Sequence, residues 1–189
     1  MPSHGELVVV KVGGGLTAIA GALEGVCSTI TRAARHRPIV VVPGGGPFAD
    51  LVRQLDRTMK LSAEAAHWMA ILGMDQYAHV LADLMPGAVL VDDPGEIGEL
   101  LTATRLAVLA PSRWMRSADV LPHSWNATGD SIAAFVAGAL GATRLVLVKP
   151  VAVATEPLDP CFAATVPADL PYDLIGCECL EQLEAQLRM

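Results

Sequence analysis

The sequence predicts an α/β fold, a three-layer α/β/α sandwich around a mainly parallel central sheet. Three observations carry this. Five short apolar runs (7–12, 39–43, 88–93, 106–111 and 144–151) are near-continuous rather than alternating, the pattern of strands covered on both faces. Longer segments with helical spacing separate them, in the order β-α-β-α-α-β-α-β-α-β. Hydrophobic residues make up 52% of the 189 and charged ones 17%, enough to bury a core in a single domain spanning 1–189.

The first run, "LVVVKV", is interrupted only by Lys11 and ends in Gly13, Gly14 and Gly15. Residues 16–36 then place Ile19, Leu23, Val26, Ile30 and Ala33 three or four apart, a helical stripe. "IVVVP" is the second strand and ends in a second triad, Gly44, Gly45 and Gly46. A long helix over 62–84 opens at Ser62, a good N-cap, with Glu64 where the helix dipole favours an anion. "AVLVDD" and "LAVLAP" follow as strands three and four. The next helix, 129–141, carries Asp130 as its one charge. "RLVLVKPV" is the fifth strand. Residues 152–173 hold four prolines and little periodicity, and read as a loop-rich connection to a last helix over 176–188.

Composition narrows the function. Thirteen basic against twenty acidic residues give a net charge of −7. A general nucleic-acid binder needs a basic face and is disfavoured. A phosphate-bearing small molecule is not, because one lysine and a few backbone amides suffice for it. Cys27, Cys161, Cys177 and Cys179 include no C-x-x-C, and the Cys177-x-Cys179 pair is too tight for a zinc knuckle. They read as free thiols, and no metal ligands are assigned. No basic segment precedes the first apolar run, and no run approaches ~20 apolar residues. The chain reads as soluble and cytoplasmic.

The glycine triads point to phosphate. Without Cβ atoms, consecutive glycines let backbone N–H groups converge on an anion. Between a strand and a helix they also aim the positive end of the helix dipole at it. Both triads fall at strand carboxyl ends, where open parallel sheets bind ligands. The Walker pattern is absent. Residues 13–18 fit the dinucleotide fingerprint G-x-G-x-x-A, but the next strand ends in Pro43 and glycines rather than a ribose-binding acid. Lysine is scarce, only Lys11, Lys60 and Lys149 against ten arginines. An ammonium in an apolar strand calls for an anion. Lys11 is therefore either an ion-paired strand-end residue or a charge aimed at a transferring phosphoryl group. Asp130 is a helix cap, a metal ligand, or the carboxylate that holds Lys11.

With "VKVGGGL", "VVVPGGGPFAD" and "NATGDSIAAFVAGALGATRLVLVK" (126–149) in this order, the sequence resembles the amino acid kinase superfamily. Within it, "PGGGPFADLVRQLD", the 61–83 helix, "APSRW" and "LPHSWNATGDS" are most similar to the branch that phosphorylates [5-(aminomethyl)furan-3-yl]methyl phosphate in methanofuran-type cofactor synthesis. The resemblance covers roughly residues 7 to 149. It implies an amino acid kinase-like fold with a shortened C-terminal nucleotide side, and a kinase using ATP with Mg2+. Lys11 would stabilise the phosphoryl group and Asp130 would organise Lys11. Gly13, Gly14 and Gly15 would cradle the nucleotide phosphates, and Gly44, Gly45 and Gly46 would face the acceptor. The family's D-V-D-G turn and second catalytic lysine are missing: "VKPVAVATEPL" stands there, with no lysine beyond Lys149. Lys149, Arg144 or a neighbouring subunit can supply that charge. The alternative is a kinase-fold binding or assembly subunit without turnover.

Several residues carry two readings. Ser124 and Trp125 are acceptor contacts or loop packing, and His123 is a loop hydrogen-bonder or a substrate contact. His67 and His79, twelve apart, are not spaced as a helical metal pair and read as surface or core. Asp50 and Asp56 read as solvated helix carboxylates, one of which can meet an acceptor amine. Arg53 and Arg57 read as a solvated face. Met59, Met69 and Met74 belong to the core or to a subunit contact, in keeping with a homo-oligomer.

Overall fold

A computed structural model describes residues 7–151 and 158–188. Six strands form one parallel sheet in the order β3-β4-β2-β1-β5-β6. They are β1 (Val8–Val12), β2 (Ile39–Pro43), β3 (Val89–Val91), β4 (Leu106–Leu109), β5 (Arg144–Lys149) and β6 (Tyr172–Gly176). The helices are α1 (Ala22–Ala33), α2 (Gly46–Met59), α3 (Ala63–Leu84), α4 (Pro94–Ala103), α5 (Ser112–Ala118), α6 (Gly129–Ala139), α7 (Phe162–Thr165) and α8 (Leu180–Arg188). The predicted α/β sandwich is observed, and every strand pair is parallel.

The central strands are buried along their whole length, which explains their unbroken apolar runs. Alternate residues serve opposite faces. Val8, Val10, Val12, Val146 and Val148 pack with Leu23, Val26 and Ile30 of α1 and with Leu183 and Leu187 of α8. Val9, Val40, Leu145 and Leu147 pack with Ile132, Ala133 and Val136 of α6 and with Ile97 of α4. Lys11 shares parity with Val9, and Lys149 with Leu145 and Leu147. Both lysines therefore stand on the α6 side of the sheet.

Ser62 caps α3 as expected, its hydroxyl accepting the Ala65 N–H at 3.1 Å. The predicted 16–36 helix is broken. Gly14–Ala18 form a 3₁₀ turn, and α1 starts only after Gly21, whose φ of +74° reverses the chain. α5, α7 and β6 were not anticipated. β6 takes up the last two residues of the proline-rich stretch read as connection (152–173) and runs to the start of the predicted 176–188 helix, which begins only at Leu180; residues 152–157 fall outside the described residues. β6 is an edge strand with an exposed Tyr172, and Asp173 on it pairs with Arg144. All four cysteines are unpaired.

Candidate active site

β1 has β2 on one side and β5 on the other, and the loops after these strands meet at one end of the sheet. The two glycine triads touch there, backbone to backbone. A Cβ on Gly14 would lie 2.1 Å from the Gly46 nitrogen and 2.3 Å from its Cα, so no other residue fits. Gly46 itself has φ +57°. Tyr77 of α3 lies beneath both loops: its hydroxyl donates to the Gly13 carbonyl at 3.3 Å, and its ring sits 3.5 Å from where a Gly46 Cβ would be.

The amides of the triads are not equivalent. Gly13 N–H donates to the Val148 carbonyl at 2.9 Å and Gly44 N–H to the Val12 carbonyl at 2.8 Å. These two glycines fasten the loops to the sheet. Gly14 and Gly15 open the 3₁₀ turn, while Gly45 and Gly46 open α2, and first-turn amides have no partner within their own helix. Both turns contribute to the wall of a cavity of about 570 Å³, together with Lys11, Thr128 and Gly129.

Asp130 is 3% exposed and does not cap its own helix. Its Oδ2 accepts from Lys149 Nζ at 2.8 Å. Its Oδ1 lies 3.0 Å from Lys11 Nζ, an ion pair whose angle falls short of a directed hydrogen bond. Charge attraction does not require that angle, so one carboxylate faces both lysines. Burial pushes the Asp130 carboxyl up, but the Lys11 charge and then the Lys149 hydrogen bond and charge outweigh it, holding the group below the ordinary carboxylate range. Gly129 leaves room for the lysine: a Cβ there would sit 3.4 Å from Lys11 Cε.

The α6 cap comes instead from Asp159, far along the chain. Its carboxylate accepts from the Thr128 N–H at 2.9 Å, the Thr128 hydroxyl at 2.8 Å, the Ser131 N–H at 3.0 Å and the Ser131 hydroxyl. Asp159 N–H also points at Asp130 Oδ2, at 3.4 Å. Arg144 takes no part in this centre. It stands at the opposite end of β5, five residues and about 16 Å from Lys149, bound to Asp173 and Gln186.

The outer cavity is lined by α2, α3 and the loop before α6. Trp125 donates its indole N–H to Asp56 Oδ2 at 2.8 Å, and the Arg53 guanidinium lies 4.8 Å over its ring. Ser124 lines the same wall. His123 bonds Asp119 at 2.8 Å and stacks on His67 at 4.5 Å. His67 is buried and lines the cavity, whereas His79 is exposed. His67 is the core residue that the sequence allowed, but its place on the cavity wall was not read, and Tyr77 and Asp159 escaped the sequence reading, because their partners lie tens of residues away.

Residues 6–157 match the sequence profile of the amino acid kinase family. The chain belongs to that family. It is 31% identical over 149 residues to the [5-(aminomethyl)furan-3-yl]methyl phosphate kinase of Methanocaldococcus jannaschii, which covers 78% of this chain and 65% of that enzyme. The chain thus spans just under two thirds of that relative. Solved structures share the amino acid kinase fold. The UMP kinase of Bacillus anthracis superposes with a TM-score of 0.66 at 12% identity, over 96% of this chain and 91% of that one. The uridylate kinase of Archaeoglobus fulgidus gives 0.60 at 22%, over 76% and 63%. The aspartate kinase of Synechocystis gives 0.66 at 15%, over 91% and 38%.

Proposed function

We propose that this amino acid kinase family member transfers the γ-phosphoryl group of ATP to a small phosphate ester of the [5-(aminomethyl)furan-3-yl]methyl phosphate class, in the cytoplasm. The observation that carries the reading is the Lys11–Asp130–Lys149 bridge beside the glycine triads. Phosphoryl transfer asks a protein for positioning and for positive charge around the moving group. Lys11 supplies one charge. Lys149 supplies the second, which the missing D-V-D-G segment had left unassigned, and Asp130 keeps both in place. The amides of Gly14, Gly15, Gly45 and Gly46 add fixed dipoles on either side. Transfer is in line from donor to acceptor oxygen, with no covalent intermediate on the protein.

Mg2+ would enter with the nucleotide, held by its phosphates and by water. Asp130 does not fit as its ligand, since each oxygen already faces an ammonium. Among the described residues no group of three metal-ligating side chains exists. A binding subunit without turnover would need no second buried lysine at Asp130, which favours the kinase. The exposed Leu51 and Met59 of α2 and Leu72 of α3 favour a homo-oligomer that covers this face.

The test is ADP release from Mg-ATP with the aminomethylfuran phosphate as acceptor, using Lys11→Ala as control. Turnover lost in that variant supports the kinase, and turnover that survives it rejects the lysine's role.

A further inference from the structure

The first half of α3 forms one wall of the cavity. Ala63, Ala66, His67, Ala70, Ile71 and Met74 face it at helical spacing. Tyr77 touches the glycine loop, and His67 stands ten residues, about 15 Å, back along the helix axis. His67 therefore lies toward the end of the cavity away from Lys11 and the glycines, with Ala63 one turn beyond it, where the non-reacting end of an acceptor would lie.

That end is built for a cation that is also a hydrogen-bond donor. His67 is 7% exposed, and among the described residues neither of its ring nitrogens is hydrogen-bonded. Its ring is held by contacts alone, stacked on His123 and edge-on to Trp68. Burial, then the neighbouring His123, lower its pKa, with Asp119 opposing. The imidazole is thus neutral near pH 7 and offers a lone pair. Across the cavity α2 presents Asp50, Arg53 and Asp56, two acids against one base. Arg53 is drawn aside over Trp125 and lies 3.5 Å from Asp50. Arg116 is turned onto Trp68. Flat faces of Trp125 and His123 complete the walls.

We infer that His67 accepts a hydrogen bond from a primary ammonium at the far end of the acceptor, with Asp56 supplying the counter-charge. The inference rests on the kinase reading for the direction in which the acceptor lies, and it specifies what that site selects: an aminomethyl group over a hydroxymethyl one. Acid opposes it. Protonated His67 has no lone pair and repels the ammonium, so affinity falls below the pH at which His67 charges.

The test is calorimetric binding, without nucleotide, of [5-(aminomethyl)furan-3-yl]methyl phosphate and of its hydroxymethyl analogue. The wild type is expected to prefer the amine at least tenfold. In His67→Phe, which keeps the ring stack, that preference should fall to within twofold. In His67→Gln, whose side-chain carbonyl restores an acceptor, it should largely return. Equal affinity for the two compounds in the wild type, an undiminished preference in His67→Phe, or no binding of the amine would each overturn the inference. Amine-selective binding without ADP release would reject the kinase and keep this assignment; ADP release with no amine preference would do the reverse.

Discussion

Lys149 Nζ lies 2.8 Å from Asp130 Oδ2, on the carboxylate whose other oxygen faces Lys11 Nζ at 3.0 Å. The two lysines come from adjacent strands and share side-chain parity, so the register of β1 on β5 brings them to one acid. If both charges act on the moving phosphoryl group, either lysine alone is insufficient. Lys11→Ala and Lys149→Ala should each lower kcat by ~10²–10³, the usual cost of removing one preorganised stabiliser. Arg144→Ala should leave kcat within about twofold, because its partners lie at the far end of β5. Steady-state ADP release on the three variants separates these outcomes.

Asp130 should also govern acid stability. Its carboxyl titrates below the ordinary value of 3.8 in the fold, so the folded chain holds that proton more weakly than the unfolded one. The resulting stability is fully present above about pH 4 and is lost as pH falls through the folded value. Asp130→Asn removes the buried anion that Lys11 and Lys149 share, and breaking a buried pair costs about 3–5 kcal/mol. Thermal melts between pH 2 and 7 should show the variant far below wild type at neutrality, the gap narrowing in acid. A gap independent of pH would contradict this.

Asp159 is expected to matter more than a surface carboxylate. Asp159→Ala removes the acceptor for four donors of Thr128 and Ser131 at the N-terminus of α6. Loss of a helix cap costs roughly 1–2 kcal/mol, seen as a lower urea midpoint. Turnover should fall as well, because the same turn carries Asp130. Stability lost with kcat unchanged would limit Asp159 to a cap.

Tyr77 links the glycine loop to the core. Tyr77→Phe keeps the ring under Gly46 and deletes only the bond to the Gly13 carbonyl, worth about 0.5–1.5 kcal/mol. Urea unfolding should register that loss with the m-value unchanged.

Five of the six strands were legible as unbroken apolar runs, which burial on both faces writes in β1, β2, β4 and β5 and which β3 keeps at the sheet edge despite an exposed Val89. β6 was not, since "YDLIG" sits at an edge among prolines and carries Asp173 for an ion pair across to β5. Lys11, Asp130 and both triads stood out as a charge in an apolar strand, a charge in an apolar helix and runs of glycine. Lys149 was named, but its partnership with Asp130 depends on strand register. His67 looked like any core histidine, because its role depends on a loop 56 residues away, where His123 stacks on it. Asp159, in a stretch without periodicity, gave no local sign that it caps a helix 28 residues earlier.

The most direct measurement is ³¹P NMR of the purified protein with Mg-ATP and [5-(aminomethyl)furan-3-yl]methyl phosphate, beside Lys149→Ala. Phosphoryl transfer assisted by both lysines predicts that the acceptor's monoester signal is replaced by the coupled pair of a diphosphate, at a rate at least about a hundredfold slower in the variant. A monoester signal that persists in the wild type while nucleotide is bound, or a diphosphate formed equally fast without Lys149, would contradict it.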